Sequence, residues 1–146
     1  MRISSTRFGA LDVDVDDLLH FPHGVIGFED CRQWVLLADP ANSAVGWLQS
    51  ADRPETALAV VSPRRFRPDY RIRLGQDKLS PLAMSEQDRL YVLCVVRRQT
   101  GACVMNLRAP ILVNLDRRLG YQMVTTDEQP LQAALTDPPA QLRKSA

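Results

Sequence analysis

Leu11, Val13 and Val15 alternate with Asp12, Asp14 and Asp16, a period of two that predicts a strand with one face in water. Short apolar runs then recur over residues 18–21, 34–38, 45–48, 57–61, 70–74, 90–96, 102–107, 111–115 and 121–125. Most are four to seven residues long and rich in Val, Ile, Leu or aromatic side chains. Turn formers separate them: Pro22-His23-Gly24, Asp39-Pro40, Arg53-Pro54, Pro63, Gly101, Ala109-Pro110 and Leu119-Gly120. Nine or ten short strands at this spacing predict an all-β fold, an antiparallel barrel or sandwich.

Helical signals are few. Residues 77–84 hold room for one or two turns, limited by Pro81, and Ser85-Glu86-Gln87-Asp88 offers a second start. From residue 128 onward the chain turns polar and carries Pro130, Pro138 and Pro139, which predicts a flexible tail over 128–146 after a domain at 1–127.

At 146 residues the chain suits one domain, and a 45% hydrophobic, 24% charged composition is that of an ordinary globular protein. No apolar run approaches the roughly 20 residues needed to cross a bilayer. The first residues lack the charged-then-apolar pattern of a secretion signal, so a cytoplasmic protein with no membrane partner is expected. Cys31, Cys94 and Cys103 are odd in number and form no C-x-x-C pair, which predicts small buried side chains on strands rather than a disulfide framework. Cys94 and Cys103 fall on adjoining strands of one expected hairpin. Charge is unevenly spread: four arginines face nine carboxylates in residues 1–60, and fourteen Lys or Arg face eight carboxylates in the remainder. If the two halves occupy separate regions, the fold has faces of opposite sign.

Tests for chemistry mostly fail. Asp12, Asp14 and Asp16 match the first, third and fifth positions of a calcium loop, but the sixth is Asp17 instead of Gly and the twelfth is His23 instead of Glu. His20, His23 and Cys31 lack the spacing of a closed zinc site and a fourth ligand. No nucleophile elbow is present, and Gly24-x-x-Gly27 is not a phosphate loop. The chain reads as no enzyme, with no metal and no cofactor. Arg64, Arg65, Arg67, Arg71 and Arg73 are interleaved with Phe66 and Tyr70, a composition that suits single-stranded nucleic acid. That alternative, a small nucleic-acid-binding β-barrel, is set against a pI near 7.8 and against a charged loop running into a strand that exposes Arg71 and Arg73. Phe21 and Phe28 bracket a Pro/Gly turn and are expected to pack inward. Asn106 and Asn114 bracket Ala109-Pro110 and are expected to tie loop backbone through their amides.

Four segments occur in order: Phe21-Pro22-His23-Gly24-Val25-Ile26-Gly27-Phe28-Glu29, Trp47-Leu48-Gln49-Ser50, Pro68-Asp69-Tyr70, and Asn106-Leu107-Arg108-Ala109-Pro110-Ile111-Leu112-Val113-Asn114. Together the chain resembles the flagellar assembly factor FliW family from about residue 1 to 126. The resemblance implies a single small antiparallel β-barrel-like domain of about nine or ten short strands with one or two short helices. It also implies a cytoplasmic, non-enzymatic protein with two partners, flagellin and the RNA-binding repressor CsrA, and a competition in which accumulated flagellin draws the protein away from CsrA. This chain departs from the family pattern at His23, at Val25-Ile26, at the arginines of residues 64–67 and at Arg108. Family members are usually acidic and this chain is not. Exposed-looking loop positions expected to meet a partner are Phe66, Tyr70, Asn106, Arg108, Asp14 and Asp16.

Overall fold

A computed structural model of the chain describes residues 1–73, 79–125 and 129–135. Among these residues eleven strands are formed: β1 (Arg2–Ser5), β2 (Gly9–Asp12), β3 (Leu18–His20), β4 (Gln33–Ala38), β5 (Val45–Ser50), β6 (Ala57–Val61), β7 (Leu90–Gln99), β8 (Ala102–Met105), β9 (Ile111–Asn114), β10 (Leu119–Gln122) and β11 (Ala133–Ala134). Seven of them close a barrel in the order β7-β6-β5-β4-β3-β10-β9, with β9 returning to β7. The pairings are antiparallel except where β10 meets β3, with Leu119 opposite His20. β1 and β2 form a separate hairpin, and β8 and β11 extend the sheet outward from β7.

β7 explains why the longest apolar run looked continuous rather than alternating. Residues Leu90 to Leu93 pair with β9, and Val96 to Gln99 pair with β8. Leu93 and Val95 face the barrel interior with Phe21, Trp34, Leu48, Val60 and Ile111. Val92, Cys94 and Val96 face outward into a second core under Val61, Phe66, Tyr70, Met105 and Leu107. A strand covered on both faces loses its polar positions. The hairpin β1–β2 seals another part of the outer wall, packing Ile3 and Val13 on Val35. A 3-10 turn, Ser80–Leu82, seals a third by placing Leu82 on Leu112 and Met123.

Buried polar groups hold these pieces together. The Gln49 side chain is fully buried; its Oε1 accepts the Ser5 hydroxyl at 2.7 Å. Its Nε2 lies within 2.9–3.4 Å of the carbonyls of Ser50, Arg53, Pro54 and Thr56. One residue of the Trp47-Leu48-Gln49-Ser50 segment therefore ties the N-terminal hairpin to the β5–β6 turn. Gly120 lies against Phe21 so closely that an added Cβ would overlap the ring.

Several expectations change. The strand expected through Val15 stops at Asp12, and Val15 opens a 3-10 turn, Val15–Asp17, where it is 64% exposed. The Asp17 carboxylate receives the Asp14 backbone N–H at 3.4 Å, so the acidic run caps a turn instead of lining a strand. Residues 70–73 form no strand, and Leu74 lies outside the described residues. A single helical turn, α1 (Pro63–Phe66), precedes them with Pro63 at its first position, where the missing N–H costs nothing. Of the helix expected at 77–84, Asp77 and Lys78 lie outside the described residues, and the rest holds the 3-10 turn. Ser85 to Asp88 makes a turn rather than a helix start, with Ser85 N–H on the Asp88 carboxylate at 3.1 Å. Cys94 and Cys103 do lie on paired strands, but Cys103 is exposed, and Cys31 is buried between strands. Ala133–Ala134, within the expected tail, instead pairs with Met105 and Val104. Residues 136–146 lie outside the described residues.

The strand order keeps β3 to β6 contiguous and β7 to β10 contiguous. The acidic first 60 residues and the basic remainder therefore occupy separate sectors of the barrel wall, as the charge distribution required for two faces. Among the described residues no helix is long and apolar enough to cross a membrane.

Candidate functional site

The first of the two longest signature segments folds as a loop, and the second as a loop over 106–110 that runs into β9. In the first, Phe21 and Phe28 both meet Trp34 edge-on, with centroids 6.3 and 6.4 Å away. Between them the chain doubles back through a bridge of Val25 with Phe28. Gly24 makes this possible: its φ is +67°, and a Cβ there would stand 2.6 Å from the Glu29 backbone. In the second loop, the Asn106 side-chain oxygen accepts the backbone N–H groups of Arg108 at 3.0 Å and Ala109 at 3.1 Å. The Asn106 amide ties the loop as expected. Asn114 does the same for the following turn, receiving Asp116 and Arg117 N–H, while its own N–H₂ donates to the Leu82 carbonyl and to Asp88. Those contacts, led by Asn114 and joined by Ser85 and Arg117, hold the Asp88 carboxyl down at about 2 against partial burial.

The loops meet at one place. Gln122, at the end of β10, accepts the Ile26 N–H at 2.8 Å and donates to the Ala109 carbonyl at 2.9 Å, so one amide latches both. They become walls of a cleft of about 430 Å³. Its floor is Val25, Phe28, Leu58 and Val95, all part of or packed on the interior cluster. Its rim presents Ile26, Val124 and Leu131 at 53%, 54% and 50% exposure, three of the few large apolar side chains shown to solvent among the described residues. Grouped aliphatic exposure of this kind marks contact surfaces more often than scattered single residues do. Arg97 and Arg108 supply the charge. Arg108 Nε donates to the Gln129 carbonyl at 2.9 Å.

Of the residues expected to meet a partner, Asn106 and Arg108 line this cleft. Phe66 and Tyr70 lie elsewhere and are 9% and 5% exposed, with the Tyr70 hydroxyl donating to the Leu107 carbonyl at 2.7 Å. Phe66 packs inward and anchors the α1 loop, while Tyr70 also lines a second cleft of about 420 Å³ beside Pro63, Ile72 and Tyr91. Asp14 and Asp16 are exposed, at the start of and within the 3-10 turn of the acidic sector, away from the cleft lining. The arginine cluster is largely engaged with backbone. Arg64 Nε donates to the Tyr70 carbonyl, Arg67 to those of Phe66 and Ala134, and Arg71 to those of Pro68 and Tyr70. These contacts satisfy loop carbonyls of residues 66–70 and one carbonyl of β11, a structural role distinct from a nucleic-acid track.

Sequence reading missed Gln122, Val124, Leu131 and Arg97. The run 121–125 held a partial signal: buried Met123 and Thr125 alternate with Gln122 and Val124, which places the latter pair on the other face. Leu131 carried none, because it lay in a segment expected to be tail.

A family model described as FliW protein matches residues 2–135. Curated relatives include the "Flagellar assembly factor FliW" of Bdellovibrio bacteriovorus, 36% identical over 87% of this chain and 74% of that one. The protein of the same name from Desulfitobacterium hafniense strain DCB-2 is 35% identical over 85% of this chain and 83% of its own length. That from Moorella thermoacetica is 35% identical over 85% and 80%. A solved structure, "Crystal structure of the flagellar assembly factor FliW", superposes with a TM-score of 0.87 at 24% identity, covering 95% of this chain and 99% of that one.

Proposed function

The chain belongs to the FliW protein family, and from that premise we propose that it serves flagellum assembly in the cytoplasm by binding proteins, without catalysis. The partners are flagellin and the repressor CsrA. The observation that supports this most directly is the cleft: both signature loops exist to build it, and it exposes aliphatic side chains that a folded protein otherwise buries. In this reading a terminal segment of flagellin occupies the cleft. CsrA, a basic RNA-binding protein, meets the acidic sector that includes Asp14 and Asp16. The loop of residues 24–30 borders both, since Ile26 and Phe28 line the cleft while Glu29 and Asp30 are exposed beside them. Occupation of the cleft therefore bears on the acidic surface, and flagellin withdraws the protein from CsrA by mass action.

Titration calorimetry of the protein with its cognate flagellin and cognate CsrA, first separately and then in competition, tests this. Binding to both with mutual displacement is expected. Silence with both partners at micromolar concentration would refute it.

A further inference from the structure

We propose that the cleft selects a partner segment in which branched aliphatic side chains stand beside a carboxylate, and that Arg97 and Arg108 are the residues that select it. This rests on the reading that flagellin is the partner and adds what the cleft recognises in it. The apolar floor and rim accept any aliphatic chain of suitable size, so they contribute attraction without much choice. Choice comes from charge. No Asp or Glu lines the cleft among the described residues, while two guanidinium groups do. Ion pairs among the described residues join Arg2 to Asp12, Arg53 to Asp30 and Arg117 to Asp88, all elsewhere. Neither Arg97 nor Arg108 has a carboxylate partner there.

Strand register sets the position of one cation, and a hydrogen bond holds the other. Arg97 stands on β7 directly opposite Val104 of β8, another lining residue. Arg108 is tethered through Nε to the Gln129 carbonyl, and its backbone is fixed by Asn106. The remaining Arg108 N–H groups are therefore offered from a held position, with the exposed Arg97 beside them on the same wall, which favours a carboxylate and opposes a lysine or arginine. A basic partner is disfavoured at this cleft by the same charges.

The test is binding of cognate flagellin, and of overlapping synthetic peptides covering its sequence, to four proteins: wild type, R97E/R108E, I26D and R98E. Arg98 is the neighbouring exposed cation that does not line the cleft. Thermal melts establish that each variant folds, and R97Q/R108Q replaces the charge reversal if that one does not. The proposal expects R97E/R108E to weaken flagellin and the best peptide by roughly tenfold, with R98E within twofold of wild type. Replacing Asp and Glu by Gln in that peptide should give a similar loss. An R97E/R108E protein that binds normally while I26D does not would overturn the proposal and leave the cleft as the docking site. An equal loss in R98E would also overturn it, because general attraction would then explain the effect. No binding of flagellin to wild type would overturn both the proposal and the function on which it rests.

Discussion

Gln122 offers the sharpest separation between folding the barrel and building the cleft. Its amide makes two contacts with the loops, accepting Ile26 N–H and donating to the Ala109 carbonyl. Replacement by leucine keeps the bulk and removes both. The Ile26 contact is exposed and the Ala109 contact half-buried, so water recovers part of the loss. At about 0.5–1.5 kcal/mol net for each bond, the cost is about 1–2 kcal/mol. That cost falls on the latch between loops 24–29 and 106–110 rather than on the interior cluster around Trp34. The opening equilibrium of the loops should thus rise by roughly 5- to 30-fold. Native-state hydrogen exchange at the Phe28 amide, which donates to the Val25 carbonyl inside the first loop, reads this, with urea unfolding as the companion measurement. Q122L should lose Phe28 protection by that factor and show a lower midpoint at unchanged slope. Q122E should lose less, because a carboxylate still accepts the Ile26 N–H while the Ala109 contact is lost. Unchanged Phe28 exchange in Q122L would show that the amide is not the latch. Two separate unfolding transitions in Q122L would show that the loops unfold independently of the barrel.

Q49L should be more damaging, at about 3 kcal/mol or more, because it strands the buried Ser5 hydroxyl and carbonyls of the β5–β6 turn; a urea midpoint close to wild type would contradict the buried network. Asp88 has a folded value of about 2, below its ordinary 3.8. The stability it contributes is therefore full above about pH 4 and is lost as pH falls toward 2. D88A should be less stable than wild type at pH 7, with the gap closing by pH 2 in acid-unfolding curves; a constant gap would refute the assignment. Burial pushes the Cys94 thiol up to about 12, and Cys31 is buried while Cys103 is exposed. One thiol per chain should react promptly with an aromatic disulfide reagent under native conditions, the others only at the rate of unfolding. Prompt reaction of two would place Cys94 or Cys31 at a surface.

Much of the barrel was legible in the chain. Alternating and apolar runs separated by turn formers marked nine of the eleven strands within a few residues, because strand formation there is decided locally by alternation and by Pro and Gly. β1 and β11 were not marked. Their residues, Arg2–Ser5 and Ala133–Ala134, have little local preference and become strands only because β2 and β8 lie beside them. The stretch after Tyr70 failed in the opposite direction. Its alternation resembled a strand, but α1 and arginine contacts to carbonyls supply the pairing that a ladder would have supplied.

The cleft divides in the same way. The two signature loops were visible as segments, because a glycine at positive φ, an Asn that caps its own loop and rings flanking a turn are local features. Their meeting was not visible. Ile26 and Gln122 are 96 residues apart and are joined only because β10 crosses to pair with β3, closing the barrel. The exposure of Val124 and Leu131, and the burial of Phe66 and Tyr70, likewise depend on which surfaces that closure covers. The sequence by itself determined the strands, the turns and the separation of charge along the chain, all of which act over a few residues or follow from composition. Tertiary structure alone decided which apolar side chains remained in water, because burial depends on contacts between segments that local pattern does not specify.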